Sequence, residues 1–138
     1  MSTTDIRALF DTYSKAWADH DPDAIIALHS ADTTFWMHSG GTPVEGLHPV
    51  REAFAGIFKQ WPHFGFEVYR VLIGEDHWVL DWALTSVRTD RAGNRHPIRF
   101  DCVDIVTVDS DGLVARKDTF FDAAQLTQSV APLTAKAS

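Results

Sequence analysis

The stretch FDCVDIVTVDSDG, residues 100–112, carries a carboxylate, Asp104, between Val103 and Ile105 in a run otherwise built from Val, Ile, Cys and Phe. An ionised carboxylate in an apolar strand is costly unless it is paired, hydrogen-bonded or kept protonated. Three placements are open: in water near an edge, paired with Lys117, or lining a pocket, where a perturbed carboxyl does general acid–base chemistry. A second proton-transfer candidate is His38, which closes a short apolar strand beside the turn-forming SGGTP. Its ordinary pKa suits proton transfer near neutrality. The seven histidines, at 20, 29, 38, 48, 63, 77 and 96, show no HxH or HExxH spacing, so no metal is expected. His29 reads as a partly buried helix residue, and His63 and His96, each beside a proline, as exposed loop residues. No glycine-rich phosphate loop is present, and no cofactor is expected. The single cysteine, Cys102, excludes an intrachain disulfide and reads as a small core residue.

The chain that must position these groups has 138 residues, a formal charge of −7 and 45% hydrophobic residues, which fits one domain with a real core. Five Trp and nine Phe exceed what a small core needs, so some are expected to line a cavity. The acidic balance argues against nucleic-acid and anionic-membrane surfaces, which select basic patches, and leaves a small hydrophobic molecule as the expected partner. No stretch approaches the roughly 20 apolar residues of a membrane span. The N-terminus lacks a basic region followed by a long apolar run, so a cytoplasmic location is expected.

Ile6, Leu9, Phe10, Tyr13 and Trp17 recur at helical spacing and predict a helix over 4–19, capped by Ser2 or Thr3. DPDAIIALHS predicts a second, with Asp21 as N-cap and Pro22 in its first turn. TTFWMH, 33–38, reads as a strand, and Pro49 opens a third helix with Val50, Phe54, Ile57 and Phe58 on one side. Four strands follow at 64–74, 76–89, 96–109 and 113–121, joined by hairpin signals at GED, DRAGN and DSDG. Helices followed by an antiparallel meander predict an α+β domain. Residues 1–126 read as that single domain and 127–138 as a small, polar, fraying tail.

The turn at 109–112 sets relative facing. With a two- or four-residue loop, opposing residues sum to an odd number and share a face. Phe100, Cys102, Asp104, Val106 and Val108 therefore lie with Leu113, Ala115, Lys117, Thr119 and Phe121, and Val103, Ile105, Asp118 and Phe120 lie opposite. Both faces are fairly apolar. One is expected to pack on the helices and the other to form a homodimer.

Three helices followed by a long antiparallel sheet resembles the nuclear transport factor 2-like superfamily, which includes ketosteroid isomerases, limonene epoxide hydrolase and SnoaL-type polyketide cyclases. The segments that carry the resemblance are YSKAWADHDPDAIIALHSADTTFW, GLHPVREAF and VDIVTVDSDGLVARKDTFFD, within residues 4–126. The resemblance implies a cone-shaped, curved sheet packed against three N-terminal helices around an apolar cavity. It implies walls from Trp17, Phe35, Met37, Phe54, Phe58, Cys102, Thr119 and Phe121.

By the same resemblance, Tyr13 and Asp104 stand where ketosteroid isomerases hold their oxyanion-hole tyrosine and protonated aspartate. Such a pair donates two hydrogen bonds to a carbonyl oxygen as it gains charge. The isomerase's general base aligns with Met37, which cannot accept a proton. The epoxide hydrolases' arginine and aspartates align with Ala83, Thr85 and Thr119, so neither specific activity carries over. The alignment turns Asp81, Ala83, Thr85 and Val87 inward, which makes Asp81 a substitute base. The strand alone instead turns Trp78, Leu80, Trp82 and Leu84 inward. Together these readings imply a cofactor-free isomerase, cyclase or lyase-type enzyme acting through Tyr13, Asp104 and either Asp81 or His38. The alternative is a binding module or a dimerisation scaffold.

Overall fold

A computed structural model describes residues 1–134. Helix α1, Thr3–Ala18, begins in a capping box in which Ser2 and Asp5 each satisfy the other's backbone N–H. Its buried stripe is Ile6, Phe10, Tyr13 and Trp17, one residue per helical turn. Helix α2, Pro22–Ile26, is capped by Asp21, whose side chain accepts from the Ala24 N–H at 3.1 Å. Helix α3, Leu47–Gln60, starts before Pro49, directly after Gly46, whose φ of 94° suits glycine.

The strands are β1 (His29–Met37), β2 (Val44–Glu45), β3 (Gly65–Ile73), β4 (His77–Thr89), β5 (Arg95–Val108) and β6 (Val114–Phe121). They form one curved, unclosed sheet in the order β2-β1-β6-β5-β4-β3. All neighbours are antiparallel except β1 and β6. Strand β1 starts four residues earlier than TTFWMH suggests, and this makes His29 a buried strand residue rather than a helical one.

On β4 the inner face holds Trp78, Leu80, Trp82 and Leu84, all buried, and they lie opposite Val106, Asp104, Cys102 and Phe100 of β5. The expected facing of β5 and β6 is observed from Cys102↔Phe121 to Val106↔Lys117. Beyond Thr107↔Arg116 the register shifts to Val108↔Val114, so Val114 takes the inner position assigned to Leu113 and Ala115. A β-bulge adds one residue to one strand, which parity counting from the turn cannot see.

The expected fraying tail is instead helix α4, Ala123–Thr134. It is tied to β5 because the Gln125 side chain accepts from the Asp101 N–H at 2.7 Å and donates to its carboxylate at 3.0 Å. Residues 135–138 of that expected tail lie outside the described residues. The helices cover the concave face of the sheet. On the other face, Leu72, Val103, Ile105 and Phe120 are exposed.

Candidate active site

Between α1, α3 and the concave face lies a cavity of about 280 Å³. Nearly half of its lining residues are aromatic, among them Phe10, Trp17, Trp61, Trp78 and Phe100, and Leu126 of α4 also lines it. Four polar side chains enter it as a group: Tyr13 from α1, Asp104 from β5, and Lys117 and Thr119 from β6. All four residues are 5% exposed or less.

The sheet register assembles this group. Asp104 sits opposite Thr119, whose hydroxyl donates to Oδ1 at 2.8 Å. Lys117, two residues earlier on the same face, places Nζ 3.3 Å from Oδ2. The ammonium also lies 4.5 Å from the ring centre of Trp17 and 4.9 Å from that of Tyr13. Burial works against the Lys117 charge, but the Asp104 carboxylate and the Tyr13 oxygen outweigh it, so its pKa is raised above the ordinary lysine value. The Tyr13 pKa is also raised, by burial first, with the Lys117 charge opposing, and the phenol keeps its proton at neutral pH.

Behind Tyr13 is a second buried chain. Its hydroxyl is 2.9 Å from His29 Nε2, and His29 Nδ1 is 2.8 Å from the Thr33 hydroxyl. Burial, with the Lys117 charge adding to it, lowers the His29 pKa to about 3, so the imidazole is neutral. Burial also pushes the Cys102 thiol up to about 12, with Asp104 as the next contributor.

Tyr13 and Asp104 therefore share one cavity. Trp17, Phe35, Met37, Cys102, Thr119 and Phe121 line it as expected. Phe54 does not: fully buried, it packs behind Trp17 and Phe35 with ring centres 5.0 Å from each. Phe58 lies outside as well, stacked on His20 at 5.0 Å.

Asp81 is corrected too, because the strand pleat turns it to the outer face, where it pairs with Arg70 at 3.3 Å. The inward set is the large apolar one that alternation alone identified. His38 likewise follows the alternation away from Met37. It bonds Asp118 at 2.8 Å and stacks between Trp36 and Phe120 on the outer face. Neither residue is in reach of the cavity chemistry.

The protonated role of Asp104 is also corrected. Its carboxylate accepts from a hydroxyl and faces an ammonium, which is the setting of an ionised acceptor, not of a neutral donor. Sequence reasoning weighed Lys117 only as a neutralising partner and did not foresee it in the cavity, although it shares the parity of Asp104. It also missed His29, for which the only signal was its position between an amphipathic helix and a strand. Among the described residues, no group of three or more His, Cys, Asp or Glu side chains is placed to share a metal ion. Nor is any helix among them long and apolar enough to cross a membrane.

The SnoaL-like domain family matches residues 7–117, most of the chain and every polar cavity residue except Thr119. The chain belongs to the SnoaL-like family. Solved structures agree on the fold. A protein from Jannaschia sp. CCS1 described as a SnoaL-like polyketide cyclase is 18% identical, with a TM-score of 0.78 over 99% of this chain and 96% of its own. One from Shewanella denitrificans OS-217 with the same description is 14% identical, with a TM-score of 0.79 over 91% and 96%. A third, AclR from Streptomyces galilaeus, is described as a hydroxylase; it is 20% identical, with a TM-score of 0.77 over 96% and 99%. These likenesses establish the nuclear transport factor 2-like cone for this SnoaL-like chain. No curated protein matches it.

Proposed function

We propose that this SnoaL-like protein is a cofactor-independent enzyme that moves a proton on an apolar, carbonyl-bearing substrate, in an isomerisation, cyclisation or elimination. The observation that carries this reading is the buried Asp104–Lys117 pair beside Tyr13 in a largely apolar cavity.

The Asp104 carboxylate is the base. It takes a proton from the carbon next to the carbonyl, and the C–H electron pair moves into that carbonyl. The new negative charge falls on the oxygen, where the Lys117 ammonium and the Tyr13 O–H donate to it. Asp104 then returns the proton to carbon elsewhere, or the enolate attacks within the substrate or expels a leaving group. His29 aligns the phenol: the Thr33 hydroxyl donates to Nδ1, Nε2–H donates to the Tyr13 oxygen, and the Tyr13 hydrogen remains free for the substrate. A positioned base contributes roughly 10² to 10⁴ in rate, and an oxyanion donor in a dry site up to a further 10³ or so. The descriptions of some neighbours as polyketide cyclases agree with this class of chemistry.

We propose further that two copies pair through the outer sheet face, with Val103, Ile105, Phe120 and Leu72 at the contact, and that the protein works in the cytoplasm, where a lone buried thiol stays reduced.

The test uses 2-decalone in D₂O and follows exchange of its α-protons by NMR. The wild type should accelerate exchange over buffer, and Asp104→Asn should lose most of that acceleration while keeping the fold. Binding without accelerated exchange would mean that the cavity stores its ligand, and the enzymatic reading would fall.

A further inference from the structure

Where α3 ends against the β4–β5 hairpin, the molecule keeps cations that it does not neutralise. Among the described residues, every Lys and Arg outside this region pairs with a carboxylate, and the unpaired ones are Lys59, Arg88, Arg91 and Arg95. Lys59 is the penultimate residue of α3, and the other three belong to the hairpin. The chain carries a formal charge of −7, so these cations are not unpaired for want of acids. The only acid between Val87 and Pro97 is Asp90, and it is already engaged. Its carboxylate accepts from the N–H groups of Ala92 and Asn94 at 2.9 Å each and lies 2.7 Å from His96 Nε2.

Two of these cations, Arg88 and Arg95, line a groove of about 550 Å³ together with His63, Thr89, Val87 and Leu133. The groove exists because β3 begins only opposite Thr85, and residues 60–63 flank β4 beyond that point. There the Val87 N–H and the Ser86 hydroxyl both donate to the Pro62 carbonyl. Arg88 is held in place. Its Nε and Nη2 donate to the Gln60 carbonyl at 3.1 and 2.6 Å, and its guanidinium lies 4.0 Å from the centre of the Trp61 ring. A carbonyl at the end of α3 offers only partial negative charge, so the guanidinium keeps most of its own. Nη1 is left for a ligand. Arg95 is exposed and faces Thr89 across the ladder, which puts the two side chains on one face. His63 has a φ of 57°, uncommon for a residue other than glycine.

We propose that this groove binds a phosphate monoester. Two guanidinium groups match the charge of a dianion, and their N–H groups form the short, charge-assisted bonds that phosphate oxygens accept best. The His63 imidazole and the Thr89 hydroxyl add further donors along the same wall. Beside them Pro62, Val87 and Leu133 form an apolar strip, which suits the carbon substituent of an ester and has no use for inorganic phosphate. The site stands apart from the Asp104–Lys117 pair and does not rest on the proposed function.

Calorimetry at low salt with n-butyl phosphate and inorganic phosphate tests it. The ester should bind the wild type at one site per chain, and inorganic phosphate should bind several-fold more weakly. Arg88→Gln and Arg95→Gln should each weaken the ester roughly tenfold or more, the worth of a hydrogen bond to a charged group. Arg91→Gln removes the same charge from the same hairpin but from outside the groove, and should bind like the wild type. Arg88 also caps α3, so where its variant fails to fold, the exposed Arg95 carries the test. Absence of saturable ester binding at millimolar concentration would overturn the proposal. So would binding unchanged in Arg95→Gln, which would place the ester elsewhere, or an equal loss in Arg91→Gln, which would reduce the effect to diffuse charge. Inorganic phosphate binding as tightly as the ester would overturn the monoester assignment.

Discussion

Lys117 Nζ stands 3.3 Å from Asp104 Oδ2, and the two side chains are 7% and 4% exposed. They belong to adjacent strands but are not directly opposed: Lys117 faces Val106, and Asp104 faces Thr119. The contact is therefore a diagonal across the ladder, within reach of a long side chain. Burying both charges is costly, and removing only one is costlier, because the other is then left uncompensated. Lys117→Met should lose on the order of 3–5 kcal/mol of stability. Adding Asp104→Asn to it should recover part of that loss, since the double variant buries no charge. Urea unfolding of the three variants measures this. Purely additive losses would mean that the two groups do not act as a pair.

The neutral His29 makes the protein acid-sensitive in a defined window. Its folded pKa, about 3, lies below the ordinary 6.5. Between those values the unfolded chain binds a proton that the folded chain refuses, so stability falls as pH drops from 6.5 toward 3 and is unaffected by this group above 6.5. The contribution at the acid end is on the order of a few kcal/mol. Asp118 acts in the same direction. Burial opposes its ionisation, but hydrogen bonds from Arg116 and His38 outweigh burial and lower its pKa, so its stabilisation is also lost as acid protonates it. Urea midpoints at pH 7, 5.5 and 4 should therefore decline for the wild type. His29→Gln should flatten part of the decline and leave the share that belongs to the carboxylates. An unchanged slope would show that His29 already takes a proton in the folded state.

The outer sheet face supplies a test of association. Ile105 and Phe120 are 41% and 42% exposed on neighbouring strands, a large apolar exposure for the middle of a sheet. Sedimentation of the wild type should give twice the chain mass, and Ile105→Asp should give a single chain with an unchanged melting temperature at high dilution. A wild-type monomer at micromolar concentration would remove the pairing.

Much of this was legible in the residues. The hairpin parity at 109–112 puts Asp104, Lys117 and Thr119 on one face, because the side-chain period of a strand is two and a turn sets the phase. The same period turned Trp78, Leu80, Trp82 and Leu84 inward and Asp81 outward; the family alignment, which inverted that strand, was the weaker guide. Parity failed only at Leu113 and Ala115, where the bulge near the turn adds a residue. The apolar stripe of α3 was legible too. That Phe54 packs behind Trp17 while Ile57 of the same helix reaches the cavity was not, because it depends on where α3 lies against α1.

The residues by themselves determined the order of the first three helices and the long strands, the face most strand side chains take, and the presence of an acid, a lysine and a phenol on elements that meet. These follow from periods and turns a few residues long. Only the tertiary structure decided that the helices close over the concave sheet without filling it, that Lys117 reaches Asp104 in a buried cavity wall, that His29 lies behind Tyr13, and that the indole donors of Trp17 and Trp82 have no acceptor among the described residues. Those outcomes depend on the curvature of six strands and on the seating of α1 and α3 upon them. Distances between groups far apart in the chain are set by that packing and not by any local rule.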